Sequence, residues 1–234
     1  MKFWKINFRG INKKEVLKED ENLKLIYTVN TEFILLAQEN EKFLTILNKG
    51  CCTIDGQLPY WIIKFLSKNK ELEKISGSDF IFDLCKFAQT ENKKIFLLGG
   101  IEESNKKAIE LLKNKFKVEI SGFSPEYQNY PFNEKFNNEI IETIEKFKPE
   151  ILLVAFGAPK QEYWLHDNRK ELEKIGVKYG IGVGGTFDFI SGRIKRAPLV
   201  IQRIGMEWLW RLIQQPKLRY KRIIRLFRIF MYKP

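Results

Sequence analysis

Short apolar runs rich in branched side chains alternate along the chain with longer segments whose apolar residues recur every three or four positions. The short runs are Leu23 to Thr28, Cys51 to Ile54, Lys94 to Leu98, Val118 to Ser121, Ile151 to Phe156 and Val177 to Val183; each reads as a strand, and the run from Ile151 as one covered on both faces. Between them, Phe33 to Ala37 and Phe43 to Leu47 follow the capping residues Asn30 and Thr31 with helical spacing. Leu58 to Leu66 is strongly apolar and reads as a helix. Ser76 to Asp79 marks a break and an N-cap before a helix reaching about Gln89. Glu102 to Lys115 and Phe136 to Phe147 complete the helical set. Residues 1 to 22 read as an edge strand and a turn, and Ser121 to Pro131 as a loop. The alternation predicts an α/β fold, a Rossmann-like and mostly parallel sheet with helices on both faces.

In such sheets ligands bind at the carboxyl ends of the strands. Those ends are Thr28-Val29-Asn30, Asp55-Gly56, Gly99-Gly100, Gly157-Ala158-Pro159 and Gly182 to Gly185. Glycines there let the backbone approach a ligand and offer N–H groups to phosphate oxygens, or else simply cap helices and permit tight turns. The stretch from Ile151 to Glu162 is the clearest case, a buried-type strand breaking at Gly157 and Pro159 into polar Lys160, Gln161 and Glu162. Neither the dinucleotide spacing G-x-G-x-x-G nor the phosphate loop G-x-x-x-x-G-K-[ST] is present. Asp55 follows the apolar strand directly, and it serves either as a general base or as a cap for the helix after it. His166 is the only histidine and has no G-x-S-x-G elbow to serve, so it reads as a helical surface residue. No His, Cys or carboxylate cluster has metal-ligand spacing, so neither a metal nor another cofactor is expected.

Charge changes the picture at one end. The net charge is +12, but residues 193–234 hold twelve Lys or Arg and a single acid, Glu207. The first 192 residues are nearly neutral. This shift divides the chain into an α/β domain over 1–192 and a basic appendage over 193–234. Within the appendage GMEWLWRL precedes Pro216, and then Lys217, Lys221, Arg225 and Arg228 fall on one helical side, with Tyr220, Ile223, Phe227 and Phe230 on the other. That is a cationic amphipathic pattern suited to an anionic membrane surface. A nucleic-acid-binding α/β protein explains the charge but not the glycine-edged strand ends, and Trp, Ile and Phe suit lipid better. An NAD-type oxidoreductase on the same fold lacks its fingerprint. Cys51, Cys52 and Cys85 are odd in number, without metal-ligand spacing, and the first two are adjacent and so poorly placed to bridge each other; they read as reduced, buried thiols. The first fifteen residues lack a signal-peptide core, and no apolar run approaches the ~20 residues of a membrane span. A cytoplasmic protein peripheral to the inner face of the membrane is expected.

Read together, Thr28-Val29-Asn30, Thr53 to Gly56, Lys74 to Asp79, Phe96 to Gly100, VAFGAPKQE, GVGGTFDFISG, Arg196 to Pro198 and GMEWLWRL with its basic sequel resemble the WecG/TagA/CpsF glycosyltransferases of bacteria across most of the chain. The resemblance implies an inverting, metal-independent transfer of N-acetylmannosamine or a related sugar from a UDP donor to a polyprenyl-diphosphate-linked glycan, for surface polysaccharide synthesis. It implies Asp55 as general base, with Thr28 and Asn30 beside the sugar. Lys74, Gly157, Gln161 and Glu162 are implied at the donor, and Gly99, Gly100, Gly184 and Gly185 around its nucleotide. Arg196, Arg203, Arg211, Arg219, Arg222 and Arg225 are implied at the acceptor diphosphate and the membrane. Three positions depart from the family pattern: Ile54 stands where Pro is usual, Gln57 where a small or aliphatic residue is, and Lys74 where Arg is commoner. Nucleic acid is not an expected partner, and oligomeric state is left open.

Overall fold

The branched runs between glycine turns form strands, as the alternation predicts. The computed structural model describes residues 1–198, 201, 206–214, 216 and 225–234. They contain eight strands and eleven α-helices in an α/β order, and the described strand pairings are parallel except for that of the first two strands. No described helix is long and apolar enough to cross a membrane. The chain divides into two compact units.

The first unit comprises Met1–Val16, Thr28–Ser76 and Lys195–Pro234. Its strand β1 (Lys2–Phe3) runs antiparallel to β2 (Ile6–Gly10), and β2 pairs in parallel with β4 (Cys51–Ile54). Helices α2 (Thr31–Glu39) and α3 (Glu41–Lys49) meet at Asn40, whose side chain accepts the Phe43 N–H at 2.9 Å and so starts α3. Phe33 and Phe43 pack ring against ring, 5.5 Å between centroids, and Ile6, Phe8, Ile34, Leu47 and Ile54 are fully buried. Helix α4 (Gln57–Ser67) follows β4, and α11 (Glu207–Gln214) and a 3-10 turn (Phe227–Met231) lie near the C-terminus.

The second unit comprises Leu17–Tyr27 and Gly77–Ile194. Short helix α1 (Lys13–Leu17) and strand β3 (Lys24–Val29) are where the chain passes from one unit to the other. The unit's strands lie in the order β3, β8 (Tyr179–Gly182), β7 (Ile151–Ala155), β5 (Ile95–Gly99), β6 (Ile120–Phe123), all parallel. Helices α5 (Gly77–Thr90), α6 (Glu102–Phe116), α7 (Glu134–Phe147), α8 (Lys160–Asp167), α9 (Arg169–Ile175) and α10 (Thr186–Ile190) connect or follow them. After β5 the chain steps outward to β6 and then returns to the far side of β5 as β7. The order therefore reverses between β5 and β7, where a doubly wound sheet opens its ligand crevice.

One strand lies elsewhere than expected. The run read as Val118 to Ser121 is β6 at Ile120–Phe123, so Gly122 and Phe123, assigned to the loop, are strand. Ser121 and Gly122 look like turn formers, yet a Cβ on Gly122 would lie 2.5 Å from the Leu97 carbonyl oxygen. Glycine is there because the neighbouring strand is close, not because the chain turns.

All three cysteines are free thiols, with Cys52 and Cys85 buried and Cys51 half-buried. Burial pushes the Cys85 thiol up to about 12, with Lys115 partly opposing it, and pushes Cys52 higher still. Burial, with Glu19, Glu91 and Asp20 nearby, also raises Tyr179 to about 12. Each group keeps its proton longer in the folded chain than in the unfolded one, so its contribution to stability is whole below the unfolded value and is lost as pH rises past it. We expect thiol titration with a disulfide reagent at pH 8 to find at most Cys51 in the native protein and all three in denaturant. Two or three fast-reacting native thiols would contradict this burial.

Candidate functional site

In the first unit the ends of β3 and β4 are joined: the Asp55 N–H donates to the Val29 carbonyl at 2.9 Å. This bond brings Asp55, half-buried, beside Thr28 and Asn30. Thr28 is buried. Asn30 is the N-cap of α2, its Oδ1 accepting the Glu32 and Phe33 N–H groups at 2.9 and 3.2 Å, so what its amide has left for a ligand is donors. The N-cap of α4 is Gly56, at φ +85°, with no side-chain capping bond, so the helix begins one residue beyond the cap that Asp55 would have made.

Lys74 reaches the same strand end. The Ile75 N–H donates to the Ile54 carbonyl at 2.8 Å, and the exposed Lys74 Nζ donates to Gln57 Oε1 at 2.9 Å. Two of the three positions that depart from the family pattern are thus hydrogen-bonded to each other at the first turn of α4. The six arginines divide. Arg225 pairs with Glu39 of α2, as does Arg228, whose Nη1 lies 2.9 Å from Glu39 Oε1. Arg196 is half-buried. Arg211 is placed by its backbone in α11. Arg203, Arg219 and Arg222, with the amphipathic run from Lys217 to Ile224, lie outside the described residues.

In the second unit three glycine turns meet. The Gly100 N–H donates to the Ala155 carbonyl at 3.1 Å and the Val183 N–H to the Val154 carbonyl at 2.8 Å. Gln161 ties two of the turns together: its Oε1 accepts the N–H groups of Gly157 and Gly184, both at 3.1 Å. Its Nε2 donates to Glu162 Oε1 at 2.7 Å. Both side chains are almost fully buried, 3% and 1% exposed. Gly182 makes this possible, because a Cβ there would come within 2.5 Å of both Gln161 Nε2 and Glu162 Oε1. By contrast, a Cβ on Gly157, Gly184 or Gly185 would meet nothing within 4 Å, so these backbones border open space. In this geometry Gln161 braces the turns at which the donor is expected.

The sequence reading missed the residues that shape these turns from behind. Asn105, 2% exposed, donates through Nδ2 to the carbonyls of Leu97 and Gly99 at 3.1 and 2.8 Å. It interrupts the buried stripe Ala108, Leu112, Phe116 of α6, and a polar residue in such a stripe is the signal that would have found it. Ser124 Oγ donates to the Gly100 carbonyl at 2.6 Å, and Ser104 Oγ to Asp188 Oδ1 at 2.7 Å. Gly99, at φ +85°, has Phe156 2.8 Å from where a Cβ would stand. Beyond it Lys160 holds the preceding loop, its Nζ 4.1 Å from the exposed Tyr127 ring and 2.6 Å from the Gln128 carbonyl. His166 is half-buried in α8. Among the described residues no three His, Cys, Asp or Glu side chains gather as metal ligands would.

A half-buried carboxylate at one strand end can take a proton from a hydroxyl, and glycine turns at a sheet's switch point can hold a nucleotide. A family model for the "Glycosyl transferase WecG/TagA/CpsF family" matches residues 1–233.

Proposed function

The chain belongs to the WecG/TagA/CpsF glycosyltransferase family, and from that premise we propose that it is an inverting, UDP-sugar-dependent transferase with Asp55 as its general base. The donor carries N-acetylmannosamine or a related hexose or uronic acid. The acceptor is a saccharide on a polyprenyl diphosphate at the cytoplasmic face of the membrane. The Asp55 carboxylate takes the proton of the acceptor hydroxyl as its oxygen bonds to the anomeric carbon. The bond from that carbon to the donor's diphosphate oxygen breaks, the configuration inverts, and UDP leaves with the bonding pair.

The placement of Asp55 carries the reading: it stands half-buried at a strand's carboxyl end, beside Thr28 and Asn30. Thr28 and Asn30 contact the sugar, and Lys74 sets positive charge near the leaving diphosphate. The Gly99-Gly100, Gly157 and Gly184-Gly185 turns hold the nucleotide, with Gln161 and Glu162 fixing their shape. The basic C-terminal stretch, through Arg196, Arg203, Arg211, Arg219 and Arg222, meets the acceptor diphosphate and anionic lipid. Arg225 contributes to the same basic stretch while anchored to Glu39.

The test is a panel of UDP-sugars offered with a synthetic prenyl-diphosphate saccharide, with and without EDTA. UDP should be released only when donor and acceptor are both present, at a rate the chelator leaves unchanged. Release that needs no acceptor, or none with any UDP-sugar, would remove the reading; release abolished by EDTA and restored by a divalent cation would remove its metal independence.

A further inference from the structure

Helix α4 is apolar on both sides. Its inward side buries Pro59 and Ile63. Around the helix from them Trp61 is 51% exposed, Phe65 81% and Leu66 49%, with Leu58 and Ile62 half-buried beside them. At 100° per residue Leu58, Trp61, Ile62, Phe65 and Leu66 form one continuous stripe about 140° wide, whose Leu66 edge adjoins the buried Pro59 and Ile63. Soluble surfaces carry isolated apolar side chains, but a Trp, a Phe and a Leu on two adjoining turns make a patch that marks a partner.

The charge around the stripe identifies the partner. From Gln57 to Lys70 there are three lysines, Lys64, Lys68 and Lys70, all exposed, and no acidic residue. Lys64 is held at the flank of the stripe, its Nζ 2.8 Å from the Tyr60 hydroxyl and 5.1 Å from the centre of that ring. An apolar stripe with an aromatic indole and lysines at its margin is the composition of a helix lying in a lipid interface. A second copy of the chain fits badly, because a two-fold contact sets a patch of three lysines and no carboxylate against itself.

We propose that the outer face of α4 is a membrane-docking surface, inserting Trp61, Phe65 and Leu66 into an anionic bilayer independently of the basic C-terminal stretch. The lipid contact stands on exposure and charge alone. Its consequence rests on the reading above: α4 begins two residues after Asp55, so docking here would set the base at the membrane face, where a prenyl-diphosphate acceptor presents its sugar.

The full chain is floated with vesicles of phosphatidylglycerol and phosphatidylcholine, and with phosphatidylcholine alone. Trp61→Ser, Phe65→Ser and Leu66→Ser combined should lower the partition coefficient on the anionic vesicles at least tenfold, with the circular dichroism spectrum unchanged because all three side chains are exposed. Lys64→Gln, Lys68→Gln and Lys70→Gln combined should flatten the difference between the two vesicle types. Trp61→Phe should float like wild type yet lose part of the tryptophan quenching by brominated lipid. Asp55→Asn should float normally, which separates docking from chemistry. Unchanged partition of the serine variant, or quenching of Trp61→Phe equal to wild type, would overturn the proposal. So would a serine variant that loses only self-association in sedimentation, since the face would then meet a second copy.

Discussion

Asp55→Asn is expected to lower kcat by two to four orders of magnitude, the usual contribution of a positioned general base, while leaving the affinity for UDP within a few-fold of wild type. The substitution keeps the side chain's size and removes only its ability to hold the acceptor's proton. It should leave the fold intact, because the bond from the residue-55 N–H to the Val29 carbonyl is a backbone bond that asparagine keeps. The pH profile supplies a readout that a positioning role would not move: the acidic limb of kcat/KM, which reports protonation of the base in free enzyme, should disappear in the variant. Turnover within a few-fold of wild type, or an acidic limb that survives, would take the base assignment away from Asp55. A melting temperature lowered together with kcat would point instead to a structural carboxylate at the end of β4.

The order of strands and helices was legible because β5, β7 and β8 are buried on both faces and so leave apolar runs. Ile151 to Val154 is completely buried, and its sequence says so. In half-buried β6 the signal failed, as at Gly122, whose place depends on a carbonyl of another strand. Candidate positions at strand ends were legible for the same reason as the strands. Roles were less so. Whether Asp55 or Gly56 takes the N-cap position of α4 turns on a single residue of helix boundary, which composition does not resolve. The contact of Gln161 with Gly184 spans twenty-three positions in the chain and exists only because β7 and β8 are neighbours. The apolar run of α4 was plain, but which of its two sides is covered depends on what packs there. The division into two units was also hidden, since β3 itself runs through the crossing at Thr28.

Gln161→Leu should cost about 3 kcal/mol, since a buried donor or acceptor left without its partner costs roughly 1–3 kcal/mol and this change takes a partner from buried Glu162 and from two half-buried backbone N–H groups. The Gly157 and Gly184 N–H groups lose their acceptor, and Glu162 Oε1 loses its donor. For a chain of this size the corresponding fall in melting temperature is about 6–12 °C. The glycine turns would loosen as well, so KM for the UDP-sugar should rise. Gln161→Glu separates the bracing role from a direct ligand contact. It keeps an oxygen for the two N–H groups but sets a second carboxyl where an amide now donates to Glu162 at 2.7 Å. Two carboxylates that close cannot both ionise, so the folded pair would hold a proton that the unfolded chain releases above about pH 4–5. Stability of that variant should accordingly fall as pH rises from 5 to 8, whereas the leucine variant shows no such added slope. Calorimetric melting of both variants across that pH range provides the check. A leucine variant that melts within 2 °C of wild type while its KM rises would show that Gln161 acts on the donor directly, and that the turns keep their shape without it.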